Sequence, residues 1–319
     1  MGALKIGVIM DPIERIDIEK DTSFLLMLEA QGRGHEVYCM ELNDLFVRGS
    51  VPAARFSRVS VARATPHYSL GPRTSEPLRW FDVVLMRKDP PFDMAYFFAT
   101  HFLSLVEAEC LVINCPRGLR EATEKLYALN FPELIPETLI TNDISLLKRF
   151  MEELGGEMIV KPLAGHGGSG VFYLQRQDRN TNALLEASTA EGRRAVMAQR
   201  YLPEIRKGDK RIIVLNGEPI GAVLRVPRED EHRGNIHVGG RCVRTDLTPR
   251  DLEICRVLSS SLREAGLYFV GLDVIGDYVT EVNITSPTGV QEINALDGVR
   301  LESQIIDFIE QKALETKRP

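Results

Sequence analysis

Three oxygen-bearing side chains, Asp273, Glu281 and Asn283, interrupt two apolar, β-branched runs between Phe269 and Thr288. Two carboxylates and an amide oxygen are a hard, all-oxygen donor set. Such a set suits Mg²⁺, which takes few protein ligands and shares the rest with water and phosphate. A Gly276–Asp277 turn signal separates the runs, so the stretch reads as a β-hairpin. Alternation along a strand puts Glu281 and Asn283 on one face and Val282 on the other. Whether Asp273 joins them depends on the turn. A two-residue loop pairs Ile275 with Tyr278 and sends Asp273 and Glu281 to opposite faces. A three-residue loop of Gly276, Asp277 and Tyr278 pairs Ile275 with Val279 and sets Asp273 facing Glu281. The convergence of three oxygens on one cation predicts the three-residue loop. A hairpin with one solvated acidic face would carry the same letters, so residues elsewhere must decide.

Cationic and glycine-rich stretches upstream complement those oxygens. Gly165 to Gly170 (GHGGSG) satisfies G-x-G-x-x-G, but a dinucleotide site needs a helix to follow, and Val171–Phe172–Tyr173–Leu174 is strand material. Without a Gly-Lys-[Ser/Thr] ending it is not a Walker A loop either. A glycine-rich turn between two antiparallel strands reads instead as a lid whose backbone N–H groups can approach phosphate oxygens. Lys161, on the strand entering it, would place a cation beside them. Pro227 to Arg241 (PREDEHRGNIHVGGR) spaces Arg228, Arg233 and Arg241 among glycines. That pattern predicts a mobile flap closing on an anionic substrate.

The elements that must position these groups fall into two halves. Leu4–Met10, a helix over Phe24–Gln31 capped at Thr22–Ser23, and His35–Met40 form a βαβ unit and predict a parallel sheet. Residues 48–79 dissolve into Pro, Ser, Arg and Gly and read as an irregular excursion, with room for a short hairpin. Phe81–Met86 is a strand that runs into Arg87–Lys88–Asp89 and is stopped by Pro90–Pro91; in open α/β sheets ligands bind at such carboxyl ends. A helix over Met94–Ala108, a strand over Cys110–Asn114 and a helix around Leu119–Leu129 close the first half. The second half has a helix from Thr141–Asn142–Asp143 to Gly155–Gly156, strands at Met158–Lys161, Val171–Leu174, Val196–Leu202 and Ile212–Leu215, and a hairpin turn at Asn216–Gly217.

Composition bounds the class. The chain has 319 residues, 44% of them hydrophobic, enough for more than one core. Lys+Arg 39 against Asp+Glu 45 gives −6, which argues against nucleic acid as a partner. Five cysteines without C-x-x-C spacing read as a reducing compartment rather than a disulfide framework or zinc site. No apolar run approaches the roughly 20 residues a membrane span needs. The first apolar run breaks at Asp11–Pro12, too soon for a signal peptide. The expectation is a soluble, cytoplasmic protein with no membrane partner.

In order along the chain, Glu124–Lys125, Val160–Lys161–Pro162, Gly165–His166–Gly167–Gly168, Gln199–Arg200–Tyr201–Leu202–Pro203, Gly208–Asp209–Lys210–Arg211 and Gly271 to Pro287 resemble the ATP-grasp ligases. More narrowly, Met86 to Asp93 (MRKDPPFD), Gly239–Gly240–Arg241 and Asn283–Ile284–Thr285–Ser286–Pro287 resemble the bacterial glutathione synthetases. The similarity runs from Ile6 to about Glu292, with local departures at His166 and Thr288–Gly289–Val290 and nothing to match over 48–79. It implies an α/β fold: an N-terminal Rossmann-like parallel-sheet (pre-ATP-grasp) domain over 1–122, then a two-lobed α+β ATP-grasp domain over 123–319. Its lid lobe would span about 137–200 and its metal and substrate lobe about 201–310.

The activity so implied joins γ-glutamylcysteine and glycine at the cost of ATP, through an acyl phosphate on the cysteinyl carboxylate. No protein nucleophile is required, and no Ser–His or Cys–His constellation stands out. By matching position, Lys125 and Lys161 would hold ATP phosphates, with Gly167 and Gly168 in the lid. Gln199, Tyr201 and Leu202 would line the adenine, and Asp209 would take the ribose. Asp273, Glu281 and Asn283 would bind Mg²⁺, with Mn²⁺ as a substitute. Arg211 would stabilise the transferring phosphoryl group, with Arg233 as a second catalytic candidate. Asp11, Arg87, Arg225, Arg233, Arg241, Ser286 and Thr288 are the substrate-side candidates. The family also implies a homo-oligomer. The alternatives are another ATP-grasp peptide ligase with a different carboxylate and amine, or a non-catalytic ATP-binding regulator; intact metal ligands and both lysines weigh against the latter.

Overall fold

The computed structural model describes residues 2–165, 167–228 and 240–316. Among these, the first sheet holds β1 (Lys5–Ile9), β2 (Glu36–Met40), β3 (Leu45–Arg48), β4 (Val51–Val61), β5 (Tyr68–Pro77), β6 (Val83–Met86) and β7 (Leu111–Ile113). Pairings β1–β2, β1–β6 and β6–β7 are parallel, as the βαβ pattern requires. The crossovers are α1 (Thr22–Gly32) and α2 (Met94–Ser104). Thr22 and Ser23 lie inside α1; its N-cap is Asp21, whose carboxylate accepts from Phe24 N–H at 2.6 Å.

Two local expectations fail in this half. Residues 48–79 are not an irregular excursion: β4 pairs antiparallel with β3, β2 and the ten-residue β5. β5 is exposed along most of its length, so no apolar alternation marked it as a strand. The helix expected around 119–129 is only α3 (Pro116–Glu121); Glu124 and Lys125 follow in irregular chain before a short 3-10 turn at Tyr127–Asn130.

The second sheet, β8 (Thr138–Thr141), β9 (Glu157–Pro162), β10 (Phe172–Gln175) and β11 (Val196–Gln199), is antiparallel and carries α4 (Ile144–Glu153) and α5 (Thr181–Ser188). It has a core of its own, built from Leu147, Met158, Val160, Leu174 and Leu185. β10 follows the glycine-rich turn directly, so no helix N-terminus stands there to receive a dinucleotide.

The third sheet orders β12 (Asp209–Leu215), β13 (Glu218–Val226), β14 (Arg241–Arg244), β15 (Phe269–Ile275) and β16 (Tyr278–Asn283) as β14-β13-β12-β15-β16. Helices α6 (Pro249–Glu264), α7 (Val290–Asp297) and α8 (Leu301–Thr316) belong to the same half. Apolar side chains of the first sheet (Ile9, Met86, Val112) pack in one cluster with those of the third (Ile212, Val214, Leu272). α8 returns to α1, where His35 accepts from Leu4 N–H on Nδ1 at 3.1 Å. Its Nε2–H is thereby committed to donating to Glu310 at 2.8 Å.

Candidate active site

Asp273 and Glu281 are direct cross-strand partners, but not through the expected turn. The loop is two residues long and Ile275 pairs with Tyr278. Gly276 takes positive φ (57°) in the first central position, the pattern of a II′ turn. Register is then corrected by a β-bulge: Val274 pairs with Val279, Asp273 with Glu281, and Thr280 is the extra residue. Sequence reasoning required an odd number of residues between the two acids' positions and placed it in the loop. The odd residue sits in the strand.

The bulge does a second thing. The carbonyl of its extra residue, Thr280 O, accepts from Lys161 Nζ at 3.0 Å. Lys125 Nζ lies 3.2 Å from Glu281 Oε1 and donates to Gly165 O at 2.5 Å, at the root of the glycine-rich turn. Both ammonium groups are buried. Burial pulls Lys161 down to about 8, with Glu281 opposing and Lys125 reinforcing that shift. Two cations from different elements thus meet the hairpin, Lys125 at the Glu281 carboxylate and Lys161 at the adjoining Thr280 carbonyl.

Behind Asp273 lies a buried charge network. Arg211 Nε donates to Asp273 Oδ1 at 2.5 Å and its NH2 to Oδ2 at 3.0 Å, a bidentate fork. Gly271 leaves room for this side chain; a Cβ there would stand 3.1 Å from Arg211 Cδ and 3.2 Å from Pro287 Cβ. Arg225 bridges Asp273 Oδ1 (3.0 Å) and Asp209 Oδ2 (2.5 Å). The two acids respond oppositely. Burial favours protonation of Asp273, but two guanidinium groups outweigh it and hold the carboxyl well below the usual range. Asp209 has one guanidinium contact and an orphaned Oδ1, so burial wins and raises it to about 6.

A cavity of about 100 Å³ opens beside these groups, and Lys161, Gly168, Gln199, Tyr201, Leu202, Asp209, Asp273, Thr280 and Glu281 line it. Gln199 is buried, with its amide donating to Thr138 Oγ1 at 2.9 Å. The Tyr201 ring packs on Tyr173 at 4.4 Å between centroids, giving the cavity an aromatic wall. Gly167 lies in the same turn as Gly168 without lining the cavity.

The substrate-side candidates scatter more widely. Arg87 is buried, donating to Ser23 Oγ at 3.1 Å and Pro287 O at 3.0 Å, while its NH1 has no partner among the described residues. Arg211 NH1 donates to Thr288 O at 3.0 Å, so successive carbonyls of the segment containing Ser286 and Thr288 are held by two arginines. Asp11 is tied to Lys88 Nζ (2.9 Å) and Asp89 N–H (3.0 Å) at the end of β1, away from the cavity lining. Arg241 is exposed at the start of β14, and Arg233 lies outside the described residues. Arg225 belongs to the acid network.

Two participants were not singled out from sequence. Glu124 is a half-buried acid whose Oε1 accepts from Thr285 Oγ1 at 2.8 Å and whose carbonyl accepts from Val282 N–H at 2.9 Å. Burial, then the Glu281 charge, raises its carboxyl. Its adjacency to Lys125 was the available signal. Thr280 gave none, because a bulge residue looks like any strand residue.

Among the described residues no three His, Cys, Asp or Glu side chains form a metal cluster. The hairpin instead offers two carboxylates and Asn283, whose amide N–H donates to Gly271 O at 3.2 Å and leaves its oxygen as the acceptor. Glu124, Asp209, Asp273 and Glu281 are matched by Lys125, Lys161, Arg211 and Arg225, so the cluster is already balanced. A bare triphosphate would add uncompensated charge to a poorly solvated site; one carrying divalent cations would not. The residues fit a metal–nucleotide.

Comparison with known proteins agrees with this geometry. The family model for the prokaryotic glutathione synthetase N-terminal domain matches residues 4–120, and that for the prokaryotic glutathione synthetase ATP-grasp domain matches 124–298. The chain is 50% identical over 313 residues to the glutathione synthetase of Gloeobacter violaceus, covering 96% of each chain. It is 46% identical over 311 residues to that of Brucella melitensis biotype 1, covering 97% of this chain and 99% of the relative. Among solved structures, D-cycloserine synthetase DcsG superposes with a TM-score of 0.67 at 16% identity over 98% of this chain and all of that one. The D-alanine–D-alanine ligase of Bacillus anthracis, complexed with ATP, gives 0.60 at 14% over 98% of each. These two speak for the fold alone, whereas the near full-length family matches settle the rest: the chain belongs to the prokaryotic glutathione synthetases, of the ATP-grasp fold.

Proposed function

We propose that the chain catalyses ATP-dependent condensation of γ-glutamylcysteine with glycine to give glutathione, ADP and phosphate. The observation that carries the reading is the enclosure of Glu281 and Asp273 by Lys125, Lys161 and Arg211 beside a cavity with an aromatic wall. In this reading the γ-phosphoryl group passes to an oxygen of the cysteinyl carboxylate and ADP leaves. The glycine amine attacks the acyl carbon, and the tetrahedral species expels phosphate. Lys125 and Lys161 hold phosphate oxygens. Arg211, pre-oriented by Asp273 and Thr288 O, meets the charge that develops on the transferring group. Gln199, Tyr201 and Leu202 flank the base, and Asp209 faces the ribose. Asp273, Glu281 and Asn283 would hold Mg²⁺, or Mn²⁺ in its place; when bound, such a cation neutralises phosphate charge and polarises the P–O bond. Arg87, Arg241 and the Ser286–Thr288 segment are assigned to the peptide and glycine and Asp11 to the γ-glutamyl amine, with Arg233 assigned to the substrate side from sequence alone.

No helix among the described residues is long and apolar enough to cross a membrane. Thiols such as Cys39 and Cys115 fit a cytoplasmic setting, and the family reading carries with it a homo-oligomer. ADP release is the test. It should require γ-glutamylcysteine and divalent metal, and reach full rate only with glycine. Equal turnover with unrelated dipeptides would overturn the substrate assignment.

A further inference from the structure

The hairpin bearing Asp273, Glu281 and Asn283 has its turn at one end and two open chain ends at the other. Beyond the Gly271–Asn283 pair the ladder stops, and Phe269 is left with its N–H and C=O aimed at a vanished partner. Both are satisfied by one side chain from the first sheet. Asn114, just past β7, accepts from Phe269 N–H on Oδ1 at 2.8 Å and donates through Nδ2 to Phe269 O at 2.8 Å. The second Nδ2 hydrogen goes to Ile284 O at 2.7 Å. The carboxamide copies what a strand residue would offer and in addition grips the opposite strand's exit. Asn114, Phe269 and Ile284 are all buried, so water cannot substitute. The neighbouring backbone strengthens the joint: Cys115 N–H donates to Gly266 O at 3.0 Å, and a Cβ on Gly118 would meet Ala265 O at 2.2 Å.

We propose that Asn114 is a positioning residue for the metal–nucleotide, acting from the N-terminal domain by fixing the separation of the two hairpin strands. Asn283 adjoins the clamped Ile284, and on the facing strand Asp273 lies four residues beyond Phe269, two pairs past Gly271–Asn283. A splayed base would move all three oxygens relative to one another. No other side chain type supplies one acceptor and two donors in so small a plane; aspartate keeps the shape but turns an oxygen toward two carbonyls. The inference rests on the metal-ligand reading of the hairpin.

The test compares wild type, Asn114→Asp, Asn114→Ser and His35→Ala, the last a packing control in the N-terminal half. Binding of Mn²⁺ with a non-hydrolysable ATP analogue is read by electron paramagnetic resonance, alongside thermal unfolding and glutathione formation. Wild type should bind; failure there refutes the hairpin as a metal site and leaves the clamp without a purpose. Asn114→Asp and Asn114→Ser should weaken Mn²⁺ binding at least tenfold, whereas His35→Ala should lower the unfolding temperature and leave Mn²⁺ affinity unchanged. Lowering the pH, which returns a donor to the introduced carboxyl, should recover part of the affinity in Asn114→Asp and none in Asn114→Ser. Should Asn114→Asp not fold, Asn114→Ser alone decides. Unchanged Mn²⁺ affinity in either folded variant, or an equal loss in His35→Ala, overturns the proposal.

Discussion

Lys161 reaches from the second sheet to donate to the Thr280 carbonyl of the third at 3.0 Å. Thr280 is also the bulge residue that sets Asp273 opposite Glu281. The residue whose insertion aligns the two acids therefore also anchors Lys161 beside them.

The lowered Lys161 has a consequence for binding. In the free protein its value is about 8 against 10.5 for an unperturbed lysine, so between the two the unfolded chain binds more protons and stability rises with pH. Phosphate beside the ammonium restores the charge. Nucleotide binding above the free value must then take up a proton, and affinity must fall as pH rises. Calorimetry at about pH 9 in buffers of different ionisation enthalpy should show that uptake, and Lys161→Arg should abolish it.

Glu281→Gln keeps the side chain's shape but removes the charge between two ammonium groups. Loss of an outer-shell partner costs metal sites about 10- to 100-fold, so loss of a ligand should lower turnover by at least about 100-fold. The fold should survive, since Glu281 is partly exposed. Full activity at ordinary Mg²⁺ would strip Glu281 of its metal role.

How far these residues were legible follows from the range of the interaction. Asp273, Glu281 and Asn283 share one hairpin, so local alternation could pair them, although it placed the odd residue in the loop rather than the strand. Exposed β5 lacked the apolar alternation that marks a half-buried strand. The partners of Asn114 lie 155 and 170 residues along the chain, and nothing in the spacing around Asn114 points to them. The Arg225–Asp209 and Arg225–Asp273 contacts are likewise products of strand pairing, so Arg225 read as a substrate residue rather than a buried counter-ion.

Arg225→Ala should be costly for that reason. It leaves Asp209 buried without its guanidinium, and breaking a buried pair from one side typically costs about 3–5 kcal/mol. Adding Asp209→Asn should restore part of the stability, measured as the coupling in a denaturant double-mutant cycle. Purely additive effects would mean that the two side chains do not interact energetically.

Arg233 lies outside the described residues, and its expectation rests on the spaced arginines and glycines of residues 227–241. Arg233→Ala should lower turnover on the order of 100-fold while changing nucleotide affinity by only a few fold. Parallel rate and equilibrium measurements separate the two, and an unchanged rate removes this segment from the chemistry.

The order of phosphoryl transfer and amine attack is tested most directly by isotope transfer. γ-Glutamylcysteine labelled with heavy oxygen in the cysteinyl carboxylate is turned over with ATP, Mg²⁺ and glycine, and the released phosphate is analysed by mass spectrometry. An acyl phosphate intermediate sends one labelled oxygen into each phosphate formed. Phosphate that carries no label while glutathione accumulates would contradict carboxylate activation at this site.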